Sequence, residues 1–284
     1  MIETPTSDRA LVGYENVAGS VRVGWIREGD GCIVDISDIR SFWAHPADEI
    51  AKGPTRAEVA LADVRLVPIV LPEAKVFCVG LNYRTHVAEG SYAGSVTEYP
   101  TIFGRWATSL SVSGSEVPVP EGEPGLDWEG EIAAFIGRDL YNVSNKEAYD
   151  AVVGYSVFND ITARTAQKRT SQWTVGKNAD NSGVMGPLVP ATDVGRIEQG
   201  LNIETRVNGT LMQRAVTADM IHTVGETLSL ISQTLTIRSG DVLVTGTPAG
   251  VGYARTPPVF LHSGDEVEVS VTKLGSIRSF IVDR

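Results

Sequence analysis

The sequence predicts a β-rich α+β fold, and three observations carry that expectation. Most of the 284 residues read as short runs of apolar and β-branched residues separated by Gly-, Pro-, Asn- and Asp-rich turns. Only "TADMIHTVGETLSLISQTL" (217–235) carries apolar residues at helical spacing over a long stretch. Strands and helices do not alternate as the βαβ units of a parallel sheet require.

Residues 1–70 read as a small N-terminal module. "SVRVGWI" and "GCIVDI" are strand-like with "REGDG" as the turn between them, and "HPADEIAKGPTRAEVALADV" mixes a short helix with a loop. A larger part, 71–284, follows. "KVFCVGL" has the unbroken apolar character of a buried strand. "NYRTHVAEGSYAGS" suits one or two helical turns and then a Gly/Ser-rich loop, while "TEYPTIFGRWATSL" and "SEVPVP" are extended. "NKEAYDAVVGYSVFNDITA" reads as a helix and then a strand ending at Asn159–Asp160. In "TRVNGTLMQRA" the Asn208–Gly209 pair predicts a hairpin with a type I′ turn. "SGDVLVTGTPAGVG" and "SGDEVEVSVTKLGSIRSFIV" are strands joined by turns.

The chain is long enough to bury a substantial core. A formal net charge of −11 argues against nucleic acid and against an anionic membrane surface as partners. No apolar run approaches the roughly 20 residues that span a bilayer. The polar start "MIETPTSDRA" is unlike a signal peptide, and two cysteines make no disulfide framework. A cytoplasmic setting is the expectation.

Chemistry concentrates in a few places. In "GLDWEGEIAAFIG" (125–137) Asp127, Glu129 and Glu131 share one parity, so a strand would put three acids on one face. A cation offsets such crowding, and Mg²⁺ or Mn²⁺ takes oxygen ligands of this kind, with Asp160 as a natural third. The alternative is a solvated edge face whose acids discourage aggregation. His86 and Glu89, spaced i, i+3, lie on one face of a helix, where a carboxylate orients a histidine as a general base. Lys177 sits in a Gly-rich segment, where a solvated loop charge is the alternative. "VTGTPAGVG" fits neither phosphate-loop spacing. No HxH, HxxxH or CxxC spacing supports zinc, and no G-x-S-x-G elbow supports an α/β-hydrolase.

Taken in order, "KVFCVGLNYRTHVAE", "LDWEGEIAAFIG", "GYSVFNDITAR", "GKNADNSGVMGP", "VNGTLMQ", "TADMI" and "SGDVLVTGTPAGVG" resemble the fumarylacetoacetate hydrolase family, over about Leu71 to the C-terminus. "RTSQWTVGKN" and "GVGYARTPPVFLHSGD" look most like a longer bacterial branch with a small N-terminal domain, which includes oxaloacetate decarboxylase-like members.

The resemblance implies a mixed β-roll or β-sandwich catalytic domain, usually a homodimer. It implies Mg²⁺ or Mn²⁺ on Glu129, Glu131 and Asp160, a His86–Glu89 dyad on a lid, and Lys177 beside the substrate. The substrate contacts it implies are Arg105, Gln167 and Thr247. Asp127 then supports the acidic strand without being a ligand. The implied reaction is metal-dependent hydrolysis of a C–C bond in an acylpyruvate-like or 2,4-dioxo acid through a pyruvate enolate. Oxaloacetate decarboxylation and enol–keto isomerisation are alternatives on the same site, and a non-catalytic binding protein is a third reading. Arg105 stands where the family often has lysine, Ala179 where an aromatic is common, His222 where phenylalanine is usual, and Thr165 where aspartate is frequent. These departures bear on the substrate, not on the ligands or the dyad.

Overall fold

The computed structural model describes residues 9–26, 31–53, 58–89 and 98–284. Three sheets build it. One is formed entirely by 10–67, with strands in the order Glu58–Ala60, Cys32–Asp38, Val21–Ile26, Ala10–Glu15, Arg65–Val67. The second has eight strands. Its path is Thr101–Arg105, Val76–Gly80, Val242–Val244, Gly130–Ile136, Val152–Asp160, Gly183–Met185, Leu110–Val112, and Val189–Pro190 pairs Val152–Asp160 off this path. The third runs Thr210–Val216, Asn202–Val207, Glu266–Val271, Gly275–Asp283, Glu116–Val119. Parallel and antiparallel pairs mix within the last two sheets, and helices are short, which is the expected β-rich α+β class.

The central strand Gly130–Ile136 is buried along its whole length. Its alternation survives, but both faces are covered. Ile132, Ala134 and Ile136 join one core with Ile203, Val267, Val269 and Ile277 of the third sheet. Ala133 and Phe135 join the other with Val76, Cys78, Val242 and the N-terminal Phe42 and Trp43. Trp43 stacks on Phe135 with ring centroids 6.0 Å apart. The main sheet is therefore sandwiched, and the N-terminal sheet docks through reciprocal backbone bonds between Leu11 and Leu188, each 2.8 Å.

Some expected elements shift. The helix anticipated over 217–235 forms only at Val224–Ser232. Thr223 and Glu226 make a capping box there. The preceding Ile221 and His222 are held by Asn82 instead: Ile221 N–H donates to its carbonyl at 2.7 Å and His222 N–H to Oδ1 at 2.8 Å. The mixed segment after His45 holds the helix Pro46–Lys52, and another helix, Ile39–Ala44, precedes it. The hairpin turn has Asn208 and Gly209 both at positive φ, as a type I′ turn requires. Residues 27–30 of the "REGDG" turn and the Gly/Ser-rich loop after Glu89 lie outside the described residues. No helix among the described residues is long and apolar enough to cross a membrane.

Candidate active site

The acidic cluster is assembled by sheet register. Gly130 pairs Asn159 and Glu131 pairs Phe158, so Asp160 lands beside Glu129, whose carbonyl accepts the Asp160 N–H at 2.9 Å. Asp127 and Glu129 lie just ahead of the strand, yet Asp127 still exchanges backbone bonds with Thr162 at 2.9 and 3.0 Å. Ligand oxygens of Glu129, Glu131 and Asp160 all lie within 4.8 Å of one another, and all three residues are buried. The edge-face alternative therefore does not hold.

Cations from elsewhere answer the crowding. Lys177 Nζ donates to Glu129 Oε2 at 2.5 Å and to Asp160 Oδ2 at 2.7 Å. It ends the short helix Thr174–Lys177 and is 2% exposed, so it is no solvated loop charge. Arg164 Nε donates to Asp127 Oδ2 at 2.8 Å and its Nη2 to Glu129 Oε1 at 2.6 Å. Arg105 Nε donates to Asp160 Oδ1. Four buried carboxyls (Asp127, Glu129, Glu131, Asp160) thus face three buried cations (Arg105, Arg164, Lys177).

The imbalance falls on Glu131. Burial pushes its carboxyl up, the charges of Asp160 and Glu129 add to that, and Lys177 and the Gly246 N–H offset only part. Burial also disfavours charge on Glu129, but Lys177 and Arg164 outweigh it and hold the carboxyl below the usual range. Desolvation works against Lys177 too, and Asp160 and Glu129 raise its pKa nonetheless. Three converging carboxylates, oxygen donors only, with an uncompensated negative charge, fit a hard divalent cation.

A cavity of about 400 Å³ opens onto this cluster, and His86, Glu129, Glu131, Gln167, Lys177 and Thr247 all line it. His86 and Glu89 share the helix Arg84–Glu89. Nδ1 of His86 lies 3.5 Å from Glu89 Oε2, an ion-pair separation longer than a formed hydrogen bond. The Gly250 N–H reaches both Glu89 oxygens at 2.9 Å. Burial pushes the Glu89 carboxyl up, while His86, the Gly250 N–H and Arg255 bring it below its ordinary value. The helix is launched by Leu81 at φ +58, a strained conformation for a bulky residue. Asn82 fixes it by donating from Nδ2 to the carbonyls of Thr245 at 2.7 Å and His222 at 3.0 Å.

Gln167 accepts from Arg164 Nη1 at 3.0 Å through Oε1, at the cavity wall. Arg105 is placed differently from the other expected substrate contacts. It does not line the cavity but sits behind Asp160, with Nη1 on Ser109 Oγ at 3.1 Å and Nη2 on the Ile161 carbonyl at 2.9 Å and Ser182 Oγ at 3.0 Å. Sequence reasoning did not single out Arg164, although it ends the quoted "NDITAR". A buried acidic face needs a counter-charge, and that need was the available signal. Asp127 takes the supporting place expected of it, accepting from Gly252 N–H at 2.7 Å and Tyr253 N–H at 3.2 Å.

Residues 75–282 match the family described as fumarylacetoacetate (FAA) hydrolase C-terminal. The chain belongs to the fumarylacetoacetate hydrolase family. Oxaloacetate tautomerase YisK of Bacillus subtilis is 34% identical over 283 residues, covering 99% of this chain and 92% of that protein. The 2-hydroxyhepta-2,4-diene-1,7-dioate isomerase of Mycobacterium marinum superposes with a TM-score of 0.77 at 32% identity, covering 98% of this chain and 99% of that one. Fumarylpyruvate hydrolase of Pseudomonas aeruginosa, solved with Mn²⁺ and pyruvate, gives a TM-score of 0.68 at 31% identity, covering 78% and 92%. Fumarylacetoacetate hydrolase family proteins thus include tautomerases, isomerases and hydrolases, and this chain shares the fold of the Mycobacterium marinum protein along nearly its full length.

Proposed function

We propose that this chain is a divalent-metal-dependent enzyme of small 2-oxo dicarboxylic acids, and that it interconverts the keto and enol forms of an oxaloacetate-like substrate. The observation that carries this reading is that His86, with Glu89 3.5 Å from its Nδ1, lines one cavity together with the carboxylates of Glu129 and Glu131. Mg²⁺ or Mn²⁺ held by Glu129, Glu131 and Asp160 would supply positive charge beside the C1 carboxylate and C2 oxygen of such an acid. His86, oriented through Nδ1 by Glu89, removes a proton from C3 of the keto acid through Nε2. Lys177 stabilises the negative charge that moves to the C2 oxygen. The proton then returns to that oxygen to give the enol, or to C3 to restore the ketone. Thr247 and Gln167 bind the C1 carboxylate.

A second carboxylate has a cation waiting. Lys168 lines the cavity and packs its Nζ 4.0 Å from the Tyr253 ring centroid. It forms no ion pair with a carboxylate among the described residues, and desolvation and the neighbouring Arg164 lower its pKa. An anion at the far end of the substrate supplies the missing partner.

Tautomerisation is favoured over hydrolysis because oxaloacetate tautomerases recur among the curated relatives, at 34% identity from Bacillus subtilis, 38% from Xenopus laevis and 37% from Homo sapiens. Hydrolysis of an acylpyruvate is the second reading. It is supported by the aromatic wall of Phe103, Trp173 and Tyr253, which offers room for an acyl group. The test follows the enol absorbance of oxaloacetate with Mn²⁺ and with EDTA, and pyruvate release from acetylpyruvate and oxaloacetate in parallel. Metal-dependent enol decay that is lost in His86→Ala supports the tautomerase. Faster pyruvate release from acetylpyruvate moves the assignment to hydrolase, and release from oxaloacetate alone moves it to decarboxylase.

A further inference from the structure

Gln213 touches the cavity only through another residue. It is 1% exposed and comes from the third sheet. A bulge aims it. Thr205 pairs Gln213 but Arg206 pairs Leu211, so Met212 is an extra residue without a partner in the ladder. The extra residue turns Gln213 inward while Leu211 and Arg214 stay exposed, which is how bulges re-aim side chains near active sites. Gly250 closes over the bulge at φ +104, where a Cβ would stand 2.3 Å from the Met212 carbonyl oxygen.

The orientation of the Gln213 amide is forced by two backbone groups. The Gly130 N–H donates to Oε1 at 3.0 Å, so that atom is the acceptor. Nε2 donates to the Pro248 carbonyl at 2.8 Å. The remaining N–H of Nε2 goes to Thr247 Oγ1 at 2.8 Å. A flipped amide would set donor against donor and acceptor against acceptor. The Thr247 hydroxyl is therefore an acceptor toward Gln213, and its own proton must be given elsewhere. Thr247 is 3% exposed and lines the cavity, and no acceptor for its proton exists among the described residues.

We propose that Gln213 is a positioning residue that makes Thr247 an obligate hydrogen-bond donor into the cavity, aimed at a carboxylate oxygen of the substrate. Through Gly130 it also ties that donor to the strand carrying Glu131. The consequence is selectivity for an acceptor at this point: a carboxylate oxygen is held, and a group with donors only, such as an ammonium, is refused. The proposal rests on the reading of the cavity as a 2-oxo acid site.

The test is a double-mutant cycle on pyruvate binding to the Mn²⁺-loaded protein, read by calorimetry, with the unfolding midpoint of each variant alongside. Gln213→Glu keeps an acceptor for Gly130 but sets a carboxylate oxygen against Thr247, which draws the hydroxyl proton to itself. The expected loss of pyruvate affinity is on the order of tenfold or more, as for losing one hydrogen bond to a charged group. Thr247→Val should lose a similar factor, and the double variant no more than either alone. Losses that add, or full affinity in Gln213→Glu, overturn the proposal. Gln213→Met serves if the buried carboxylate prevents folding. It removes the donor and frees the hydroxyl to rotate, for a loss of a few-fold that must vanish in the Thr247→Val background. Wild-type protein that binds no pyruvate overturns the cavity reading and this proposal together. Pyruvate binding without turnover of oxaloacetate overturns only the assigned reaction, and the same cycle still decides the role of Gln213.

Discussion

Arg164 Nε donates to Asp127 Oδ2 at 2.8 Å, in a site where the arginine is 5% exposed and the aspartate fully buried. The same guanidinium reaches Glu129, so one cation faces both the support of the acidic segment and one of the three clustered carboxylates. Arg164→Met leaves two carboxylates buried without this partner. The expected cost is about 3–5 kcal/mol, the usual result of breaking a buried ion pair from one side. Urea unfolding of wild type and variant measures it. A change below about 1 kcal/mol would show that solvent enters the site freely.

Glu131 gives a proton-linked prediction. Burial, with Asp160 and Glu129 adding, raises its folded pKa above the unfolded value of about 4.3. A carboxyl raised on folding contributes stability below that unfolded value and loses it as pH climbs through the folded one. The metal-free protein should therefore lose stability with rising pH across that window. A divalent ion requires the carboxylate, so Mn²⁺ binding should release about one proton. Calorimetric titration in buffers of different ionisation enthalpy counts it. Glu131→Gln should release none and bind Mn²⁺ at least about tenfold more weakly. Equal release by both proteins would place the proton elsewhere.

His86→Ala and Glu89→Gln should lower turnover without loosening the metal. For the histidine the loss should be about 10²- to 10⁴-fold in kcat, the range of general acid–base catalysis. Glu89 acts through His86 and through the Gly250 N–H, so Glu89→Gln should cost less in kcat than His86→Ala. Mn²⁺ electron paramagnetic resonance should look the same in all three proteins. A weakened Mn²⁺ signal would mean that the dyad helix shapes the metal site rather than the proton path.

Lys168 separates substrates by charge. Lys168→Met should raise KM for a dicarboxylic 2-oxo acid by roughly tenfold, the worth of one partly exposed charged hydrogen bond. KM for a monocarboxylic 2-oxo acid should stay unchanged, because that molecule has nothing to place there. A parallel rise for both would assign Lys168 to the shape of the cavity mouth.

Much of this site was legible one segment at a time. The i, i+3 spacing of His86 and Glu89 places both on one helical face, and the helix Arg84–Glu89 bears it out. The Asn208–Gly209 turn and the Thr223–Glu226 capping box follow from local chemistry. The helix start was misplaced because Asn82, more than a hundred residues away in the chain, competes for the backbone of Ile221 and His222. Arg105 is expected from the sequence as a substrate contact, and packing turns it toward Asp160 instead. Gln213 was invisible because an extra residue in a hairpin reverses which side chain faces inward, and no pattern of hydrophobicity announces it.

By itself the sequence determined the strand class of the fold, the two-residue period that sets Glu129 and Glu131 on a common face, and the histidine–carboxylate pair one helical turn apart. These are local facts, set by backbone periodicity and side-chain type. The sequence also offers Asp160 as the third acid, while tertiary structure alone decided which register sets it beside Glu129, that Lys177 and Arg164 are buried counter-charges, and that Gln213 donates to Thr247. Those outcomes depend on strand register and desolvation. Both arise only when segments distant in the chain exclude water between them, so no single segment encodes them.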